Sequence, residues 1–292
     1  MLIWFAVVVR ILANPFSNVF QKVLTRKGAD SLFVIGLPLV VLAVLVAPAS
    51  RLFAREVRVG FWGNIGICSV LAVVGNALLV QALRLSDLSV LGPINAYKSV
   101  VSLLPGVVLL HEVPSRMALA GIGLIVAGSY FLVDKGVGKP ERNLFVRFFS
   151  DRGTQFRFGA LILSALEAVF LKKAVLASTP VATFVFWCLL GAGVSIVSLG
   201  LMGLAKLRVE LARARMNWKA VGLLTGTTGL MQLTSLLTFN AMPVGNSLAL
   251  FQTSTLVSVV LGHRFFNEGH FIERMIGSGI MVGGAVLIIV GR

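Results

Sequence analysis

The feature that most constrains this chain is the near absence of charge over stretches long enough to cross a bilayer. Of 292 residues, 57% are hydrophobic and only 13% charged, where a soluble domain carries about 25% charged residues. Ten apolar runs cover roughly 2–23, 31–49, 61–83, 86–111, 116–134, 158–177, 180–205, 219–240, 246–266 and 273–291. A run of about 20 apolar residues is the length of a helix that spans the hydrocarbon layer. Short polar joints connect the runs and use up most of the remaining chain, so no sizeable soluble domain fits. The expected fold class is therefore an all-α polytopic membrane protein with ten transmembrane helices. The first run is read as a span, not a cleaved leader, because no basic region follows Met1 and no small-residue cleavage site precedes a mature domain.

The formal net charge is +15. In a soluble protein this would suggest nucleic acid. Here the Lys and Arg residues lie mostly between the runs, where they meet anionic headgroups and set orientation. No aromatic and basic stripes accompany them, so no nucleic-acid partner is expected. Seventeen loop cations follow odd-numbered runs and seven follow even-numbered ones. The seventeen include Lys22, Arg157 and Arg274. The positive-inside rule would place the richer side in the cytoplasm and both termini outside.

The enzyme classes leave no trace. His111, His263 and His270 fall at or beyond the ends of runs, "HEVPS" is not HExxH, and neither GxSxG nor a phosphate loop occurs. Cys68 and Cys188 sit inside apolar runs and read as small buried hydrophobes. No zinc spacing is present, so neither a metal nor a cofactor is expected.

The chain repeats itself at a shift of 156. Val101, Ser102, Gly106, Glu112, Gly121, Gly123, Val126 and Gly128 fall on Val257, Ser258, Gly262, Glu268, Gly277, Gly279, Val282 and Gly284, and Asn76 falls on Gln232. "NVFQK" at 18–22 resembles "AVFLK" at 168–172. Two copies of a five-helix unit follow. An odd number of spans makes the second copy enter from the opposite side, so the halves are inverted, a recurring transporter design with its site at the midplane. The expected division is a first repeat over 1–134, a basic linker over 135–157 and a second repeat over 158–292.

The way each half closes resembles a known family. "GVVLLHEVPSRMALAGIGLIVAGSYFLV" and "GHRFFNEGHFIERMIGSGIMVGGAVLIIV" are similar to the end of an EamA-type repeat. So are the joint Ala82, Leu83, Ser86 and the segment from Pro93 to Glu112. Lys22 and Lys172 match the lysine that closes the first helix of that repeat. The resemblance is to the drug/metabolite transporter superfamily and covers nearly all of the chain. The second half departs from it: Ala249 and Leu261 stand where Pro93 and Pro105 do in the first. The resemblance implies a multi-pass protein of the inner or plasma membrane, monomer or homodimer, with both termini inside. It implies secondary active transport of a small polar metabolite by alternating access. Amino-acid export is the first expectation and phosphorylated or nucleotide-linked sugars the alternative. A flippase-like or non-transporting membrane scaffold is the rival of a different class. The partners expected are the lipid bilayer, a small-molecule substrate and protons as the coupling ion.

Away from the ends of the runs, three charges interrupt them: Arg10, Lys98 and Glu167. An intramembrane charge costs about 3 kcal/mol on insertion scales and faces the protein interior or a wet cavity. Asn95, Lys98 and Ser102 are spaced three and four apart and share one helical face. Pro93 and Pro105 loosen the helix around them. These three, with Asn14, Asn76, Gln232 and Gln252, are the expected substrate-binding residues. Glu167 and Arg10 are the expected proton-coupling or ion-pair residues. The bland alternative is a buried Lys–Glu pair that is only a packing element. The small residues Gly123, Ala127, Gly279 and Gly283 are expected to allow close helix approach, and Glu112 and Glu268 are read as structural.

Overall fold

The computed structural model describes residues 2–101, 115–132, 150–242 and 244–290. In chain order the helices are α1 (Leu2–Arg26), α2 (Ser31–Val46), α3 (Phe61–Leu85), α4 (Leu88–Leu91), α5 (Tyr97–Val101), α6 (Arg116–Ser129), α7 (Arg152–Leu176), α8 (Pro180–Gly200), α9 (Leu204–Met216), α10 (Trp218–Ala241), α11 (Val244–Gln252), α12 (Ser254–Phe266) and α13 (Phe271–Val290). A run of short turns continues α2 over 47–56, and a 3₁₀ turn, Pro93–Ala96, separates α4 from α5. Six segments of the described residues are long and apolar enough to cross a membrane: Ile3–Arg26, Ser31–Glu56, Phe61–Leu85, Pro180–Gly200, Trp218–Ala241 and Phe271–Val290. The described residues hold helices and short joints, the architecture of a polytopic membrane protein.

Local signals explain several helix starts. Asp30, Ser115, Asp151 and Thr179 each sit at an N-cap and accept a backbone N–H from the first turn, at 2.9, 3.1, 2.8 and 3.2 Å. These caps satisfy donors that a helix end otherwise leaves orphaned. Pro180 follows its cap at the first helical position, where the missing N–H costs nothing. Asn267 closes α12 in the left-handed region at φ 52°, a conformation asparagine tolerates better than most residues.

Several expected boundaries are corrected. The run over 158–177 belongs to a 25-residue helix starting at Arg152, so residues 152–157 are helical and not linker. The cap at Asp151 sets that start. The run 86–111 does not open as one continuous helix. Pro93 interrupts it, so Leu88–Leu91, Pro93–Ala96 and Tyr97–Val101 are three short pieces. Ser102, Pro105, His111 and Glu112 lie outside the described residues. The run 246–266 is broken at Thr253 without a proline. The cations after 205 are not in a plain loop: α9 buries Glu210 and exposes Leu204, Leu211, Arg208 and Arg215. That pattern suits the membrane–water interface.

The long helices pair α1 with α10, α3 with α7, α2 with α8, and α6 with α13. One apolar core joins α2, α3, α7, α8 and α10; a second joins the ends of α1 and α3 to α4, α12 and α13. Small residues let α6 and α13 touch, but not the expected ones. Gly123, Ala127, Gly279 and Gly283 are exposed, and a methyl group added to any of the three glycines would meet nothing within 4 Å. The contact runs through Gly121, Gly128, Gly277 and Gly284 instead. A Cβ on Gly284 would lie 2.5 Å from the Gly121 carbonyl oxygen, and one on Gly277 would lie 2.7 Å from that of Gly128. Each helical residue turns the side chain by about 100°, so a shift of one or two positions moves a glycine from the seam to lipid. Gly284→Ala is expected to lower the thermal stability of the purified protein by about 1–3 kcal/mol, the usual cost of overpacking. Gly283→Ala should be neutral within error; equal losses in both variants would displace the seam.

Candidate functional site

A cavity of about 140 Å³ lies among α1, α3, α7 and α10 and the broken segment around Asn95 and Lys98. It is comparable in volume to an engineered cavity that accepts benzene. The face that α1 turns toward it carries Arg10, Asn14, Ser17, Asn18 and Gln21. These positions follow i, i+4, i+7, i+8 and i+11, one stripe of a helix with 3.6 residues per turn. The stripe faces α10: Arg10 Nε donates to Ser235 Oγ at 2.6 Å, and the Ser17 and Thr228 hydroxyls lie 3.2 Å apart. The Arg10 guanidinium also stacks 4.7 Å over the Phe251 ring, and Asn14 reaches Ser254, at the break between α11 and α12.

Of the expected site residues, Arg10, Asn14, Asn76, Asn95, Lys98, Glu167 and Gln232 line this one cavity. Asn76 spends one amide N–H on the Ala72 carbonyl, 2.8 Å away in its own helix. Gln252 is buried at the end of α11 but lies outside the lining. Ser102 lies outside the described residues. Lys98 is in electrostatic reach of Glu167, Arg10 and Arg157, and Glu167 in turn faces Lys98 and Arg10.

Arg157 is the residue that sequence reasoning misses. Hydropathy places it among the loop cations; instead α7 carries it into the interior, 5% exposed, on the cavity wall. Its Nε donates to the Leu91 carbonyl at 2.9 Å and its Nη2 donates to Asn95 Oδ1. The guanidinium thus holds the two backbone pieces on either side of Pro93, where the proline has loosened the helix. Asp151 as a helix cap is the available signal: a helix starting there puts Arg157 in its second turn. Ser17, Asn18 and Gln21 are legible too, as a polar stripe in register with Arg10 and Asn14.

A second polar cluster closes one end of the bundle. Lys22 and Arg274, also expected in loops, are buried there. Glu268 accepts from Lys22 Nζ, Leu88 N and Ser89 N, each at 2.8 Å, and from Ser89 Oγ at 2.6 Å. Lys22 also donates to the Ser86 carbonyl at 2.8 Å. Arg274 donates to Ser89 Oγ and, at 2.9 Å, to Asp87 Oδ2. The structural reading of Glu268 therefore acquires a mechanism: it ties the end of α1, the start of α4 and the α12–α13 joint. Burial pushes its carboxyl up, but Lys22 and the Ser89 donors outweigh that and hold it below the usual glutamate range. At the other end Lys172 donates to the carbonyls of Phe239 and Met242.

A depressed carboxyl stabilises the fold above its unfolded pKa of about 4.3, and that contribution is lost as pH falls through the lower folded value. Thermal stability should therefore hold down to about pH 4 and fall below it, with Glu268→Gln flattening that acid limb. Lys22→Met, which strands Glu268, should cost about 3–5 kcal/mol at neutral pH. An unchanged acid limb in Glu268→Gln would remove this carboxylate from the acid response.

Residues 2–134 match a family described as the EamA-like transporter family, and the resemblance read in the sequence stands over that first half. No curated protein matches the chain. A solved structure titled "Crystal structure of protein" superposes with a TM-score of 0.61 at 16% identity, covering 97% of this chain and 94% of its own. At that identity the likeness shows a shared fold.

Proposed function

We propose that this membrane protein is a secondary active transporter of a small polar metabolite carrying an anionic group, working by alternating access between two inverted five-helix halves. The observation that carries this reading is the cavity, which gathers Arg10, Lys98, Arg157 and Glu167 between helices of both halves. A charge at mid-membrane is costly and marks a substrate or ion path by default. The ten spans comprise the six apolar segments together with α7, α6 and the two broken segments that begin at Leu88 and Val244.

The division into repeats over 1–134 and 158–292 draws support from the helix pairs. Exchanging the halves turns the pair α1–α10 into α7–α3 and leaves α2–α8 and α6–α13 unchanged, and all four are in contact. The breaks agree as well: Tyr97, which opens α5, and Thr253, between α11 and α12, are 156 apart. So are Ser86 and Met242, whose carbonyls accept from Lys22 and Lys172. Broken helices around a central site, with their backbone ends turned to a cavity, are a common device for binding a solute between rocking halves.

In this mechanism the cations attract the anionic group, and Glu167 offsets one of the two positive charges of Lys98 and Arg10 while the site is empty. Protonation of Glu167 would free those cations for substrate, which makes it the candidate coupling residue. An amino acid is one candidate substrate and a phosphorylated or nucleotide-linked sugar another. Export is the direction we favour from the resemblance.

Flux into sealed proteoliposomes tests the reading. Wild-type protein should accumulate solute under an imposed proton gradient. Glu167→Gln should exchange solute downhill yet fail to concentrate it. Accumulation by the variant would move coupling to another residue, and absence of flux under every gradient would favour a non-transporting scaffold.

A further inference from the structure

We propose that the cavity ligand carries two negative charges, held between Lys98 and Arg10 on one side and Arg157 on the other. This inference rests on the transporter reading above and adds a substrate class to it. Among the described residues, the cavity wall holds three cations, Arg10, Lys98 and Arg157, and one acid, Glu167. Glu167 faces Lys98 and Arg10. Among the described residues, the oxygens that Arg157 meets are neutral, those of Leu91 and Asn95.

The other ionic clusters do not share this imbalance. Lys22 and Arg274 are matched by Glu268 and Asp87. Lys206 and Arg213 are matched by Asp30 and Glu210. Among the described residues, two positive charges of the cavity wall therefore remain uncompensated. Uncompensated charge in a low-dielectric interior is strongly disfavoured. With Glu167 ionised, a bound dianion brings these four groups to neutrality; a zwitterion leaves the excess as it was, and a monoanion removes half.

The unpartnered donors of the lining point the same way. Arg10 Nη1, Trp187 Nε1 and Gln232 Nε2 are buried donors on the cavity wall without a hydrogen-bond partner, against one such acceptor there, Gln21 Oε1. Trp187 lies beside Glu167 but outside hydrogen-bond geometry. Buried donors are nearly always satisfied, so three orphaned donors around one cavity call for acceptor oxygens. A dicarboxylate or a phosphate monoester supplies both the charge and the acceptors, and a planar guanidinium such as Arg157 can grip either in bidentate fashion.

Binding to the full-length protein in lipid nanodiscs, followed by tryptophan fluorescence and thermal unfolding at constant ionic strength, tests this. The probes are succinate and glycerol 3-phosphate as dianions, propionate as a monoanion, alanine as a zwitterion and putrescine as a dication. The dianions should bind at least about tenfold tighter than the others, the worth of one further charge contact. Arg157→Gln should weaken dianion binding by about thirtyfold or more while propionate, held by Lys98, changes little; Arg157→Lys should retain the preference. If Arg157→Gln does not fold, Arg10→Gln supplies the same contrast. Alanine or putrescine binding as tightly as succinate would overturn the inference, as would a loss in the variant that is equal for all probes. Flux of zwitterions without dianion binding would leave transport standing and remove the dianion. Dianion binding without flux would do the reverse.

Discussion

The carboxylate of Glu268 gathers four donors from two other stretches of chain: Lys22 at the end of α1, and the backbone and hydroxyl of Leu88 and Ser89 at the start of α4, all met from its own joint before α13. In a bundle surrounded by hydrocarbon, apolar burial offers little preference for one helix neighbour over another, since lipid tails are as apolar as leucine. Polar groups have no such freedom. A buried carboxylate must find donors inside the protein, and the arrangement of helix ends seen here supplies them. The close seam of α6 and α13 depends on that arrangement, because the joint that carries Glu268 also leads into α13. So does the placement of the broken segment, which leaves Leu88 and Ser89 already anchored before Pro93 interrupts the helix.

The middle of the protein follows the opposite policy. At the bundle end acids and bases are matched; among the described residues of the cavity wall three cations stand with one acid, and Arg10 Nη1, Trp187 Nε1 and Gln232 Nε2 lack partners. A structural ion pair satisfies itself. A site that binds and releases a solute has to leave something for the solute to satisfy, at a cost in stability. The contrast between the two clusters argues against treating Lys98 and Glu167 as a packing pair, since a packing pair has no use for Arg10 and Arg157 beside it.

Much of the candidate site is readable from the chain. Arg10, Lys98 and Glu167 stand out because charge inside an apolar run has no other explanation, and Asn14, Asn76, Asn95 and Gln232 are polar interruptions of the same kind. Their convergence on one cavity is not legible, since they come from five separate stretches of backbone. Arg157 escapes through a boundary error: a span taken to begin at 158 turns the cation just before it into a loop residue, whereas the Asp151 cap starts the helix well before it. Lys22 and Arg274 escape for the same reason, because hydropathy marks where charge begins and not whether that charge is buried. The seam glycines escape because small residues occur on several faces of α6 and α13.

Sequence alone determined the class of the molecule, since long uncharged runs have no stable state in water and only helices satisfy their backbone in lipid. It also carries the 156-residue periodicity, which is a matter of order and spacing, and the charges that demand an interior. Tertiary structure decided which of those charges meet. Whether a lysine is a loop cation or half of a buried pair depends on what lies opposite it. For Lys22 that group is Glu268, 246 residues away along the chain; Lys98 lies in electrostatic reach of Glu167, in a different helix. Hydropathy is a property of neighbours in sequence; electrostatic balance is a property of neighbours in space, and it is the second that distinguishes the closed end of this bundle from its cavity.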